Sequence, residues 1–289
     1  MALSALGRKS YNYHLARQLR AVATCFGLKY NLDMHSYWSV MRFNFSIYSA
    51  YPLEVVAIIA RRLVELGFLA LFWSIIAHSS SGQIHTQQLM AYFLIATGIG
   101  EITMVLSLKI GRELARAIKF GQISSYLLMP SALIPMLVAE QVGKSGVGMM
   151  FAVVTIVLGV LLEPLPGLLA LGAFLIAFVI ACAISLSLNL FIGAIAFRTI
   201  EATSIKNVGL HVIKVMSGAI VPLSLFPGSL RTVVLALPFA SAVYAPARAL
   251  SGHLEPHLLI VGLLWAIVLL PVSFWFFKRG LRSYEAIGL

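Results

Sequence analysis

The chain has 289 residues, of which 60% are hydrophobic and 11% are charged. Soluble domains carry about 25% charged residues, and a mean hydropathy of +0.95 leaves too little polar surface to cover a water-soluble protein. Composition therefore excludes a cytosolic enzyme, a disulfide-stabilised secreted domain and a disordered chain. It predicts an all-α integral membrane protein, because apolar runs such as 168–196 lack the two-residue alternation of a membrane β-strand.

Residues 1–48 form a basic N-terminal segment, and residues 49–289 form the predicted membrane domain. The segment contains six basic residues and one acid, Asp33, and it is rich in aromatic residues from Tyr37 to Tyr48. This mixture predicts an amphipathic helix that lies in the membrane interface with its basic side towards lipid head groups. A disordered tail fits the first 25 residues equally well.

Six apolar segments follow, and each supplies at least about the 20 residues that cross a bilayer. They cover roughly 52–77, 87–107, 133–161, 167–197, 206–224 and 257–277. The loops at 78–85 and 163–166 contain no Lys or Arg, whereas the connection 108–120 and the residues that follow the last span are basic. This alternation predicts six transmembrane helices with both termini in the cytoplasm. Topology thus explains the net charge of +11, and no nucleic-acid partner is expected.

The stretch between the fifth and sixth spans is irregular. Between Phe226 and Glu255, two apolar pieces are interrupted by prolines, and each piece is too short to cross the hydrocarbon layer. We predict a re-entrant external hairpin of two short helices, packed against protein as irregular backbone at membrane depth must be. A plain external loop is the alternative.

The sequence contains no complete motif for catalysis, a cofactor or a metal. Gly143-Lys144-Ser145 matches the end of a phosphate-binding P-loop, but Val138 stands where the first glycine is required and no strand precedes it. His253 and His257 are four residues apart with Glu255 between them, and they lack a clear third ligand. The chain is therefore predicted to be no enzyme and to bind no metal or ATP itself.

Charges inside the predicted spans are costly in lipid and usually face the bundle or a water-filled cavity. Two groups can neutralise themselves at helical spacing, namely Arg61 and Arg62 with Glu65, and Glu140 with Lys144. Glu101 has no partner at helical spacing in its own helix. Its partner is expected on another helix, in another subunit or in water.

The fifth span carries polar residues on one side. Lys206, Lys214 and Ser217 follow a helical spacing, and His211 lies on the adjoining line. Such a stripe favours a passage for an anionic or amphipathic substrate, although snorkelling towards the interface explains Lys206 well and Lys214 poorly. The candidate residues of the substrate pathway are Glu101, Lys206, His211 and Lys214.

The sequence GQISSYLLMP at 121–130 resembles the Gly-x-Ile-x-x-x-Leu-Leu-x-Pro element of permease subunits in bacterial type-2 ABC transporters. Pro222-Leu223, Phe226-Pro227 and the runs 237–239 and 244–246 resemble later elements of the same family. The resemblance extends from about residue 40 to the end of the chain. It is greatest to the branch whose permeases work beside a separate ATPase subunit.

The resemblance implies the membrane subunit of an ATP-driven exporter in the bacterial inner membrane. A second permease chain, identical or homologous, would complete the pathway among the membrane lipids, and ATP and Mg²⁺ would bind the ATPase. The apolar pathway wall with a few cations favours a lipid-like or amphipathic substrate over a hydrated sugar or ion.

The resemblance also implies that the basic connection is a cytoplasmic coupling helix that docks on the ATPase. Its candidate residues are Lys109, Arg112, Glu113, Leu114, Arg116, Ile118 and Lys119, with the apolar ones suited to a groove. An interfacial helix on anionic lipid would show the same amphipathicity. The candidate external gate comprises Pro227, Pro238, Phe239, Tyr244 and Pro246.

Two other functional classes stay open at this point. One is a secondary transporter or channel that works without an ATPase, for which inverted repeats are the expected sign, and the sequence shows no internal repeat. The other is a membrane scaffold that transports nothing. Co-purification with an ATPase chain would decide against both.

Overall fold

The computed structural model describes residues 34–79, 86–105, 113–114, 116–117, 120, 122, 133–163, 166–196, 212–253 and 255–282. Within these ranges the regular structure is helical and no strand occurs. The helices are α1 (Met34–Ser49), α2 (Pro52–Ser79), α3 (Thr86–Met104), α4 (Leu133–Lys144), α5 (Gly146–Leu161), α6 (Leu168–Ala196), α7 (Gly228–Ala236), α8 (Tyr244–Leu250) and α9 (Pro256–Arg282). Short 3₁₀ turns occupy Leu223–Leu225 and Ala240–Ala242.

Four predicted spans correspond to single helices, namely α2, α3, α6 and α9. Segments Leu168–Phe191 and Pro256–Gly280 are long and apolar enough to cross a membrane, and α4 with α5 makes a third span if the bent pair is one. The chain is therefore an α-helical membrane protein, and the count of six spans stays a prediction.

The third span was predicted to be continuous over 133–161, and this is wrong. The helix breaks at Ser145, where α4 and α5 meet at a bend of 71°. Gly143, Gly146 and Gly148 weaken helix propensity around the break. The side of α1 occupies the space that larger side chains would need, because a Cβ at Gly143 would collide with the Met41 carbonyl oxygen.

The fifth span was predicted over 206–224, and its second half is also wrong. Residues 206–211 lie outside the described ranges, residues 212–216 are helical, and the helix ends at Ser217. Gly218 follows with a φ of 81°, in the left-handed region that favours glycine. The Tyr244 amide donates a hydrogen bond of 3.0 Å to the Ser217 carbonyl oxygen. The Tyr92 hydroxyl donates a hydrogen bond of 2.8 Å to the Gly218 carbonyl oxygen.

Two short helices, α7 and α8, occur in the stretch for which a re-entrant pair was predicted. They are not an extended loop, since Val234, Tyr244 and Ala247 are fully buried. Their side chains join the main apolar core, which also contains Ile95 and Ile99 of α3. The depth of this pair relative to a bilayer stays a prediction.

Helices α3 and α5 approach each other closely. A Cβ placed on Gly98 would lie 2.5 Å from the Ala152 carbonyl oxygen, and one on Gly159 would lie 2.7 Å from Ile95. Small residues at crossing points let membrane helices pack backbone against backbone. This contact fixes α5 against α3 directly after the break at Ser145.

The basic N-terminal segment ends in the helix α1, and residues 1–33 lie outside the described ranges. The α1 helix packs on α4, and Gly146 leaves room for the Phe45 ring. Trp38 and Phe43 remain exposed, as expected for aromatic residues at a membrane interface. The interfacial position of α1 stays a prediction.

Candidate functional site

A cavity of about 90 Å³ lies between α2, α3, α6 and residues 213–220, which belong to the fifth predicted span. Its polar lining includes Arg62, Glu65, Glu101, Asn189 and Lys214, and apolar side chains complete the wall. A space of this size accommodates several water molecules or one small polar group. The described part of the chain thus brings two predicted pathway residues, Glu101 and Lys214, to one cavity.

Arg62 links two carboxylates in this cavity. Its Nη1 donates to Glu65 Oε2 at 2.9 Å, and its Nη2 donates to Glu101 Oε2. The Glu101 side chain is only 4% exposed and that of Arg62 only 9%. Buried charges need such pairing because each is expensive to remove from water. Glu65 was expected to pair with Arg61 or Arg62, and Arg62 is the partner.

Glu101 therefore finds a cation on another helix of the same chain. This was one of the three expected locations, and it removes the argument that Glu101 signals burial against a second permease chain. Because Arg62 and Glu101 are 39 residues apart in sequence, helical spacing carries no sign of the pair. A pair between Lys214 and Glu101 would also have fitted the sequence, and the structure pairs Glu101 with Arg62 instead.

The Glu101 carboxylate also lies against the first turn of α5. A Cβ on Gly148 would be 2.7 Å from Glu101 Oε1, so glycine at this position gives the carboxylate its space. The first turn of a helix presents free amide groups and the positive end of the helix dipole, which favour a carboxylate. The charged group thus joins α2, α3 and the bend at Ser145.

Lys214 also lines the cavity. It lies in the helical residues 212–216 of the fifth predicted span and is half-buried. Among the described residues it has no ion-pair partner. Ser217 lies one turn further, and its hydroxyl donates to the Lys214 carbonyl oxygen at 3.1 Å. The other two predicted pathway residues, Lys206 and His211, lie outside the described ranges. Lys214 therefore adds a positive charge to the lining of the cavity.

A family model described as "ABC-2 family transporter protein" matches residues 63–288 of the chain. The chain belongs to this family. It is accordingly the permease of an ABC transporter, and the motif resemblance at 121–130 and after residue 222 is confirmed. Members are membrane components of transporters that associate with an ABC ATPase and are generally not catalytic themselves. No curated protein matches the sequence.

The segment 109–119, which was predicted to dock on the ATPase, is described in part. Arg116 is exposed and pairs with Glu113 at 2.7 Å. Leu114 is 1% exposed. The four other candidate residues, Lys109, Arg112, Ile118 and Lys119, lie outside the described ranges.

Leu114 corrects the expectation that it faces a groove of a partner. It packs with Leu137, Leu190 and Phe277 in a core of the chain itself, and Gly193 leaves room for its side chain. An amphipathic pattern shows that one side is buried and does not show what buries it. Leu114 anchors the segment to the membrane domain, so among its described basic residues the exposed Arg116 is what a partner can contact.

The predicted gate residues lie in and around α7 and α8. Pro227 precedes α7, and Pro246 is buried inside α8. Tyr244 is fully buried, and its ring is 6.1 Å from that of Tyr92. Arg231, in α7, donates from its Nη2 to Glu255 Oε1 at 2.9 Å. Pro238 and Phe239 connect the two helices.

A second cavity, of about 610 Å³, was not predicted from the sequence. It lies where α3 begins and α5 and α8 end, and it is lined by Gln87, Glu163, Ser251 and His253, among others. Burial raises the pKa of the Glu163 carboxyl group, and the nearby His253 and Arg248 oppose this shift. Proline-rich turns such as 163–166 give no sequence signal for a cavity.

Proposed function

We propose that this permease exports a lipid-like or amphipathic substrate across the bacterial inner membrane, with both termini in the cytoplasm. The observation that carries the proposal is a largely apolar cavity lined in part by Lys214, a cation with no ion-pair partner in the described part of the chain. Apolar walls compensate poorly for the lost hydration of a sugar or ion, whereas an amphiphile needs few polar contacts. The pathway residues would be Glu101, Lys206, His211 and Lys214.

Lys214→Met is expected to reduce export at least about tenfold, since a charge-assisted hydrogen bond to a head group contributes roughly 1.5–3 kcal/mol. Lys214→Arg keeps the charge in a different shape and should retain partial activity. Transport by the permease–ATPase complex in vesicles measures both variants. Lys278→Met, which removes an exposed cation near the end of α9, is the matched control.

Thermal unfolding of the same complexes separates a substrate contact from a structural role. A Lys214→Met complex that is stable but inactive supports the pathway. An unstable one would show that Lys214 holds the fold, and normal export would contradict the proposal.

The complex would contain two ATPase subunits, which bind ATP and Mg²⁺, and a second permease chain, identical or homologous. The first and fifth spans would lie near the permease interface. Exposed apolar residues on α2, such as Leu53, Val64 and Phe68, leave that helix free to face a second chain or lipid. A functional complex that contains a single permease chain would contradict this arrangement.

The basic side of the segment that includes Arg116 would dock on the ATPase. Arg116→Glu is expected to reduce the amount of ATPase that co-purifies with the permease, because it reverses a charge that is 56% exposed. Glu113→Gln removes only the ion pair within the segment and is the matched control. Undiminished co-purification of Arg116→Glu would assign this side to lipid head groups. Leu114 is unsuitable for the test because it lies in the core.

The short helices α7 and α8 would close the pathway on the outer side, with Pro227, Pro238, Phe239, Tyr244 and Pro246 as the gate. The packing of α8 against α3 and α6 supports a closed position. A structure of the transporting complex in which this pair stays away from the pathway would contradict the gate.

A further inference from the structure

We infer that Leu114 and Gly193 form a tight joint that carries motion of the segment 109–119 into α6, and through α6 to the cavity lined by Lys214. This rests on the proposed function, in which an ATPase docks on that segment. Neither residue of the joint lines the cavity. Both are therefore positioning residues that couple ATP hydrolysis to transport.

The described part of the segment faces in two directions. Residues 113–114 and 116–117 are helical, and residues two apart on a helix point to nearly opposite sides, because each turn takes 3.6 residues. The Arg116 side chain is 56% exposed, whereas Leu114 is only 1% exposed. A partner that contacts Arg116 would therefore push the segment from the side opposite to Leu114.

Leu114 lies directly against the backbone of α6 at Gly193. A Cβ on Gly193 would collide with Leu114 Cδ2, and it would lie 3.4 Å from the leucine Cγ and 3.8 Å from the leucine Cβ. Any other residue type would need space that the leucine occupies, so glycine permits this close fit. Closely packed side chains are hardly compressible and transmit a displacement to their neighbours. A shift of the segment must therefore move α6 or open the joint.

The helix α6 is the one that connects Leu114 with the cavity. Leu114 packs on α4, α6 and α9. Within the described part of the chain, no residue of α4 or α9 lines the cavity, whereas Ser185, Leu188 and Asn189 of α6 do. Asn189 precedes Gly193 by four residues, which is about 6 Å along a helix. The joint thus lies one turn from the cavity on the same continuous helix.

The chain connection from α3 is the competing route for this motion. The helix α3 lines the cavity as well, and it leads into the segment through residues 106–112, which lie outside the described ranges. A change at Gly193 disturbs the joint with α6 and leaves the covalent connection to α3 intact. Substitution of this glycine therefore distinguishes the two routes.

Gly193→Ala is the variant that disturbs the joint, since the added Cβ pushes the end of the Leu114 side chain aside. Alanine is a better helix former than glycine, so α6 itself is not weakened. Gly172→Ala is the matched control, because Gly172 lies in the same helix and a Cβ there meets nothing within 4 Å. Adding Leu114→Val to Gly193→Ala removes the colliding Cδ atom and keeps the Cβ and a Cγ for contact.

The readout is the rate at which a small thiol reagent modifies Leu188→Cys in the cavity, in a protein that also carries Cys25→Ser and Cys182→Ala. It is measured on the purified permease–ATPase complex of this reporter protein, with and without ATP and vanadate, which trap the ATPase during hydrolysis. We expect the trapped state to change the rate at least about fivefold in the reporter protein, and about twofold or less in Gly193→Ala, as for the loss of a typical coupling between sites. Gly172→Ala should respond like the reporter protein, and the double variant should come within about twofold of it.

The outcomes separate the inference from the proposed function. A full response in Gly193→Ala overturns the inference and assigns the motion to α3, with the proposed function intact. Equal losses in Gly193→Ala and Gly172→Ala, or no recovery in the double variant, also overturn it, because the loss would then not belong to the joint.

A second variant covers the case that Gly193→Ala does not assemble with the ATPase. Leu114→Val alone opens a gap at the joint and should show the reduced response, and a full response of this variant overturns the inference. A reporter protein that binds no ATPase, or that does not respond to ATP and vanadate, refutes the proposed function and the inference with it.

Discussion

Replacing Arg62 with Met is expected to destabilise the permease by about 3–5 kcal/mol, the usual effect of removing one partner of a buried ion pair. The variant leaves Glu101, which is 4% exposed, without the guanidinium that pairs with it. It also removes the bond between α2 and α3 beside the bend at Ser145. Thermal unfolding of the purified protein in detergent measures the effect.

Arg61→Met is the matched control, because Arg61 is the exposed neighbour on the same helix. Exposed substitutions of this kind usually change stability by less than about 0.5 kcal/mol. The double variant Arg62→Met with Glu101→Gln should recover much of the loss, because the buried carboxylate is then gone and the remaining one, Glu65, is 38% exposed and can be solvated. Equal stability of the two single variants would show instead that Glu101 is held by its other contacts or becomes protonated.

The extent of the apolar helices could be predicted from the sequence, and the breaks in them could not. Hydropathy identified α6 and α9 closely, because a long apolar run has one stable conformation in lipid. Hydropathy also joined α4 and α5 across Ser145, and it extended the helix of the fifth predicted span beyond Ser217, where that helix ends. Both breaks depend on tertiary contacts, namely α1 against Gly143 and Tyr92 against Gly218.

The candidate site was predictable in its residue types and not in its pairing. Intramembrane charge singled out Glu101 and Lys214, and both line the cavity. Their partners depend on how helices pack, so the contact from Arg62 to Glu101 has no signal at helical spacing. The same limit applied to Leu114, whose burial was predicted in a groove of the ATPase and occurs in the core of the chain itself.

Gly218→Ala is expected to destabilise the permease more than Gly252→Ala, although both glycines have similar backbone conformations. Their φ angles are 81° and 73°, so each substitution costs about 1–2 kcal/mol for placing a side chain in the left-handed region. A Cβ at Gly252 meets nothing within 4 Å. One at Gly218 would lie 2.8 Å from the Tyr92 hydroxyl and 3.1 Å from the Tyr244 Cβ.

The added contact should raise the cost at Gly218 by about 1–3 kcal/mol over that at Gly252, the usual penalty for overpacking. The difference in thermal stability between the two variants therefore gives the cost of the steric contact at Gly218, because the cost of the left-handed backbone is common to both. Export should fall in Gly218→Ala as well, since Ser217 and Ala219 on either side line the cavity. Equal losses of stability would mean that Tyr92 moves aside at little cost. The backbone conformation of Gly218 alone would then end the helix of residues 212–216 at Ser217.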